Sequence, residues 1–263
     1  MAGYFGTPEQ QRLQTRAEEN AVWVAATPGA CNSGRFIGCD DVDRLGWERI
    51  EEIMRRDGAI GFRLLPKERV PEVADWMTAR GYRIDFWDPF IGQRDEVLRA
   101  ARDILSTPLP QGLEVGPIPR EPTGSHTQAI QQLMSDNGVA PYSGSMLVGD
   151  IEPAITVTVV DSQNRVVACA FGHNPHNAFS AYGHYGYGGA VVVHPACRGM
   201  GLGRYVNALI ASRVLEDLDG SHFYGFVSAD NEASRKMVTS CAMKLCPEVT
   251  GALAVIGDKK FTR

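Results

Sequence analysis

The stretch that decides how this chain folds is Ala190-Val191-Val192-Val193-His194-Pro195-Ala196-Cys197-Arg198-Gly199-Met200-Gly201-Leu202-Gly203-Arg204. An apolar, strand-like run enters it, and residues 205–215 leave it with helical character. Glycines at such a junction let backbone N–H groups converge on one point without interference from a Cβ. The first turn of the helix adds unpaired donors and the positive end of its dipole, so an anion fits there. Arg198 and Arg204 flank the turn and offer charge-assisted bonds to phosphate oxygens. The pattern reads as a pyrophosphate cradle. The plainer alternative is a tight strand-to-helix turn whose glycines serve packing only.

Two common nucleotide motifs fail on spacing. A Rossmann turn needs G-x-G-x-x-G and an acidic residue at the end of the next strand. Here the order is Arg-x-x-Gly-x-Gly, and Phe223-Tyr224-Gly225-Phe226-Val227 carries no acid. A P-loop needs Gly-Lys-Ser/Thr, whereas Gly203 is followed by Arg204 and Tyr205.

The stretch resembles the GNAT superfamily of acyl-CoA-dependent N-acyltransferases. The resemblance is carried by Val191-Val192-Val193-His194-Pro195, by Arg198-x-x-Gly201-x-Gly203, and by Asn231-x-x-Ser234 with Ala242-Met243 closing that helix. It implies a GNAT fold, an α/β (α+β) architecture. Its central mixed, mostly antiparallel sheet is splayed at the fourth and fifth strands and flanked by helices. It also implies acetyl-CoA as co-substrate, with no metal, and transfer of the acetyl group to a primary amine of a small molecule in a ternary complex. The expected cofactor contacts are Val191, Val192, Val193, Arg198, Gly199, Met200, Gly201, Leu202, Gly203, Arg204, Asn231 and Ser234. Family members often place a tyrosine seven residues after the motif's asparagine, to protonate the leaving thiolate. Val238 stands there and has no proton to give. His184, Tyr185 and Tyr187, at the start of the same strand, become the catalytic candidates. A protein N-terminal or lysine acetyltransferase and a non-catalytic CoA-binding module are the alternative readings.

Ahead of that unit, residues 1–110 form a separate α/β block, and residues 111–263 the expected catalytic domain. Residues 9–20 read as a helix, 21–27 as a strand, and 41–56 as a helix by the period of Val42, Leu45, Ile50 and Ile53. Residues 58–65 read as a strand, 66–80 as a helix, and 81–87 alternate like a half-buried strand. This αβαβ order, with a helix running into Gly81-Tyr82-Arg83, resembles the back end of a GNAT unit, and without an Arg-x-x-Gly-x-Gly loop it reads as a degenerate half that does not bind CoA. An unrelated extension walling the cleft is the other possibility. Residues 113–118, 154–160 and 165–172 read as further strands, with a hairpin turn at Asp161-Ser162-Gln163-Asn164.

Residues 173–189 hold three histidines and three tyrosines with almost no formal charge. They are expected to touch the acceptor and to offer aromatic faces to a cation. Histidines without a neighbouring cysteine or carboxylate do not suggest a metal site. At 44% hydrophobic residues the chain can bury a core, and a net charge of −5 argues against general nucleic-acid binding. No apolar run reaches a membrane span and no leader pattern opens the chain. Six cysteines without a C-x-x-C pair read as reduced thiols. These features fit a cytoplasmic protein with no membrane or nucleic-acid partner; the resemblance implies a small-molecule amine as its partner, and a homodimer is allowed.

Overall fold

The computed structural model describes residues 2–257. The N-terminal half begins with α1 (Pro8–Glu19) and α2 (Ala21–Ala26), then β1 (Ala30–Asn32), β2 (Ile37–Cys39), α3 (Val42–Leu45) and α4 (Trp47–Asp57). It continues through β3 (Ala59–Pro66), α5 (Val70–Thr78), β4 (Tyr82–Gln93) and α6 (Arg94–Leu105). The C-terminal half contains β5 (Leu113–Val115), α7 (Ser125–Asp136), α8 (Gly144–Val148), β6 (Ala154–Asp161), β7 (Val166–His173) and β8 (Tyr185–Val193). It ends with α9 (Leu202–Asp217), β9 (His222–Val227), α10 (Glu232–Thr239), β10 (Lys244–Leu245) and β11 (Val249–Ile256).

Local chemistry explains several boundaries. Thr7 and Gln10 form a reciprocal capping box, and Pro8 sits in the first turn of α1. The helix expected over 41–56 is broken in two at Gly46, whose φ of 84° no ordinary helix position permits. The strand expected at residues 21–27 is corrected to a helix. Val24 N donates to Asn20 O at 2.8 Å, so the chain turns straight on from α1. Only Val24 of that helix is buried, and Val22 is 84% exposed.

The strands form one sheet in the order β1-β2-β3-β11-β4-β9-β8-β7-β6-β5, with β10 added on β4. All pairs are antiparallel except β2/β3 and β8/β9. The mixed, mostly antiparallel sheet expected from the sequence is therefore present, and it runs unbroken across both halves. β4 joins them. Its first part, from Tyr82 to Trp87, pairs with β11, and its second, from Asp88 to Gln93, with β9.

Side-chain alternation sorts the core into layers. On β7, Ala168 and Ala170 face α6 and α9, while Cys169 and Phe171 face α7 and α8. On β11, Ala252 and Ala254 pack with α4 and α5, and Leu253 and Val255 with Leu13 of α1. Among the described residues all six cysteines are free, four of them buried. No helix there is long and apolar enough to cross a membrane.

Candidate active site

A cleft of about 690 Å³ opens where β8 and β9 part. The two strands pair only at Tyr185↔His222, Gly186↔Phe223 and Tyr187↔Tyr224. Beyond Tyr187 the alternate main-chain groups on that side of β8 have no strand to bond. A bulge sits at the same place. Between Cys169↔Val192 and Phe171↔Gly189, β8 has one residue more than β7, and Ala190 takes φ 49°. An alanine held in the left-handed region is strained and marks a position fixed by its surroundings.

The expected cofactor residues cluster at one end of this gap. Val191 lines the cleft, Val192 is buried in the core beneath it, and Val193 O accepts from Arg198 Nε at 3.3 Å. Gly199 and Gly201 take φ 79° and 80°, and a Cβ on either would meet no atom within 4 Å. Glycine is required there by backbone conformation, and the space outside the turn is open. Gly201 caps α9, a helix of 16 residues whose first N–H groups have no partner within the helix. Leu202 is buried and anchors the turn, Met200 is 44% exposed, and Arg204 is exposed. Gly203 faces Met237 and Val193. Arg198 Nη2 is held by Asn137 Oδ1 at 2.8 Å. Asn231 caps α10 by accepting from Ser234 N at 3.0 Å, and both residues line the cleft beside Val238. The unpaired strand edge, the open glycine turn and the helix N-terminus succeed one another along β8 and α9, and Met237 of the cleft lining faces Gly203.

The three catalytic candidates are not brought together. Tyr187 lines the cleft. Tyr185 stacks on His222 with ring centroids 4.3 Å apart. His184 lies in the turn before β8, where its carbonyl accepts from Ser221 N at 2.7 Å.

Most of the histidine- and tyrosine-rich segment proves to be a buttress, which corrects its expected role against the acceptor. Pro175 O accepts from Asn32 N at 2.8 Å, and Asn177 Nδ2 lies 2.8–2.9 Å from the carbonyls of Val24, Thr27 and Ala30. His176 Nδ1 lies 2.6 Å from Asp40 Oδ2, and its Nε2 lies 3.0 Å from Tyr224 Oη. With Asp40 ionised, Nδ1 carries the hydrogen and Nε2 accepts from the Tyr224 hydroxyl. Burial lowers the pKa of His176 and raises that of the Cys31 thiol well above its usual value. Cys31, Asp40 and His176 hold their ligand atoms within 4.8 Å of one another. Both ring nitrogens of His176 are nevertheless committed to the hydrogen-bond chain.

The N-terminal half closes the other side of the cleft with Arg35, Arg63, Arg83, Asp85 and Trp87. Arg63 Cζ stands 4.1 Å from the centroid of the Tyr187 ring. The cation that the aromatic segment was expected to attract is thus one of the chain's own. His173 is fully buried, bonded through Nδ1 to Glu152 and set edge-on to Tyr187 at 5.6 Å. Burial lowers its pKa. None of these N-terminal contacts was marked by any local motif.

Residues 128–243 match the family model described as Acetyltransferase (GNAT) family. No curated protein matches this sequence. Among solved structures, a GCN5-related N-acetyltransferase from Kribbella flavida aligns with a TM-score of 0.56 at 13% identity, over 94% of this chain and 95% of that one. A Drosophila protein aligns with a TM-score of 0.57 at 13% identity, over 85% of this chain and 71% of that one. A GCN5-related N-acetyltransferase-like protein from Streptococcus suis gives 0.50 at 13% identity, over 83% and 79%. Such low identities speak to the fold, while the matched segment contains the whole glycine turn, the bulge and the Asn231 cap. Residues 128–243 thus carry the match to the GNAT acetyltransferase family, and the sheet matches the fold of these structural neighbours.

Proposed function

We propose that this chain transfers an acetyl group from acetyl-CoA to the primary amine of a small molecule. The observation that carries the reading is the succession of the gap beyond Tyr187 and the glycine turn of residues 198–204, which Met237 links by lining the cleft and facing Gly203. Unpaired main-chain groups are there to hold the pantetheine arm, and Arg198, Arg204 and the start of α9 to hold the phosphates. A small acceptor is favoured over a peptide because residues of the N-terminal half wall the cleft opposite β8. We keep 1–110 and 111–263 as the proposed division of the chain, with the first part serving that wall.

In the reaction the amine nitrogen attacks the thioester carbonyl. A C–N bond forms, the C–S bond breaks, and the proton lost by the amine ends on the departing thiolate. Main-chain N–H groups at the bulge stabilise the charge that develops on the carbonyl oxygen. Val238 cannot supply the thiolate's proton. Tyr187, which lines the cleft, takes that role in this proposal, with solvent as the competing donor.

The test is release of free thiol from acetyl-CoA in the presence of a panel of small amines. Amine-dependent release is expected, and Tyr187→Phe should lower kcat by about 10²-fold or more while acetyl-CoA still binds. Undiminished kcat in that variant would remove Tyr187 from the chemistry. Absence of amine-dependent release from protein that binds acetyl-CoA would contradict the enzyme reading.

A further inference from the structure

Arg63 is 4% exposed and lies at the base of the cleft. Its Nη1 donates to Tyr224 Oη at 3.1 Å, and its Nε has no partner. Arg35 lines the same cleft, its Cζ 4.0 Å from the centroid of the Tyr142 ring, and its buried Nε is also without a partner. Both guanidiniums line the cleft and stand over its aromatic rings, Arg63 over Tyr187 and Arg35 over Tyr142. Neither forms an ion pair within 4.0 Å among the described residues. Asp85, the one carboxylate among the residues that line the cleft, is engaged by Arg83 at 3.1 Å.

A buried guanidinium without a counter-charge is costly, and chains that keep one have arranged for something to meet it. Here the nearest balance is remote. Tyr224 passes its hydrogen to His176, and His176 passes its own to Asp40, at 3.0 and 2.6 Å. That chain fixes Arg63 through Nη1 and leaves its Nε/Nη2 edge uncommitted. Two parallel donors on one edge match the two oxygens of a carboxylate.

The position suits a group on the acceptor. Tyr187 folds back over the bulge, since a Cβ added to Gly189 would lie 2.3 Å from Tyr187 Oη. Arg63 sits over that same ring. Arg63 therefore stacks on the ring whose hydroxyl reaches the bulge. The phosphates of the donor lie elsewhere, at the glycine turn.

We propose that the acceptor is an amine that carries a carboxylate, an amino acid or a close analogue, and that Arg63 receives it with Arg35 on the same wall. This rests on the acyltransferase reading above.

The experiment titrates CoA-saturated protein with matched pairs, L-lysine and cadaverine, L-histidine and histamine, L-phenylalanine and phenethylamine, and follows thiol release from acetyl-CoA with each. At least one carboxylate member should be favoured over its amine by about tenfold or more, the worth of one hydrogen bond to a charged group. Arg63→Met should erase that preference while acetyl-CoA binding is unchanged. Arg35→Gln, at a less buried position, should weaken it and serves where Arg63→Met does not fold. Amines equal to or better than their acids in every pair would overturn the proposal. So would an Arg63→Met protein that binds acetyl-CoA and keeps the preference. A preference for succinyl-CoA over acetyl-CoA that vanishes in Arg63→Met would move the carboxylate to the donor and overturn its place on the acceptor. Loss of all CoA binding by the parent protein would instead defeat the underlying enzyme reading, and is told apart by the first titration.

Discussion

At the scale of single residues, the positions that govern the candidate site divide by how they announce themselves. Gly201 is legible because a βα turn with φ 80° admits little else, and that requirement leaves a glycine in the sequence at fixed spacing. Asn231 is legible because a helix cap is a local device, three residues from the N–H it satisfies. Arg63 is silent in the sequence. Its hydrogen-bond partner lies 161 residues away, and nothing in Gly61-Phe62-Arg63-Leu64 distinguishes a buried cation from a solvated one. The same holds for His173 and His176, which read as pocket residues and are buried hydrogen-bonded rings. Their titration gives a pH prediction. Both have folded pKa values below the ordinary value near 6.5 because burial disfavours the imidazolium. Below that value the unfolded chain binds more protons than the folded one, so stability is lost as pH falls through and below about 6.5. A melting temperature clearly lower at pH 5.5 than at pH 7.5 is expected, with a smaller difference in His173→Gln. An equal or higher value at pH 5.5 would show that these rings are not held neutral.

At the scale of elements, periodicity served where burial is one-sided and failed where it is not. α9 and β9 were readable from glycine signals and apolar runs. α2 was not, because Ala21-Val22-Trp23-Val24 has the β-branched composition of a strand while its fate was set by the preceding helix. β11 passed unread because Thr250-Gly251-Ala252-Leu253-Ala254 has no alternation and poor β-propensity. It is a strand through being paired on both edges, by β3 and β4. Gly251 there has its own reason, since a Cβ would lie 2.5 Å from the Phe226 ring. The segment between β7 and β8 was located correctly, but its duty was hidden in long-range bonds. Asn177 shows how much rests on them. Its amide serves the carbonyls that end α2 and begin β1, and two of the three can hold its hydrogens at one time. Asn177→Ala should cost about 1–3 kcal/mol, the penalty for stranding such acceptors. Thermal or urea unfolding measures it. An unchanged midpoint would mean the segment is held by other contacts.

At the scale of the whole molecule, the two halves are one sheet, and the cleft opens in it where β8 and β9 part. β11, from the end of the chain, sits between β3 and β4, and β4 then pairs with β9. Among the described residues, β3 and the first part of β4 stay paired with β11 on its two sides, and no glycine cradle like that of residues 198–204 follows either of them. What the N-terminal half offers is a wall, with Arg63 and Arg35 set into it. The GNAT character of the C-terminal half was legible because its backbone chemistry demands particular residues at particular spacing. The wall was not, because it is assembled from distant side chains with no such demand. Calorimetric titration of the purified chain with acetyl-CoA tests this arrangement most directly, alongside the Gly201→Val variant. One saturable site per chain is expected, with binding lost in Gly201→Val because a β-branched residue cannot hold φ near 80° at the cradle. Two sites, or a Gly201→Val protein that binds acetyl-CoA as tightly as the parent, would contradict it.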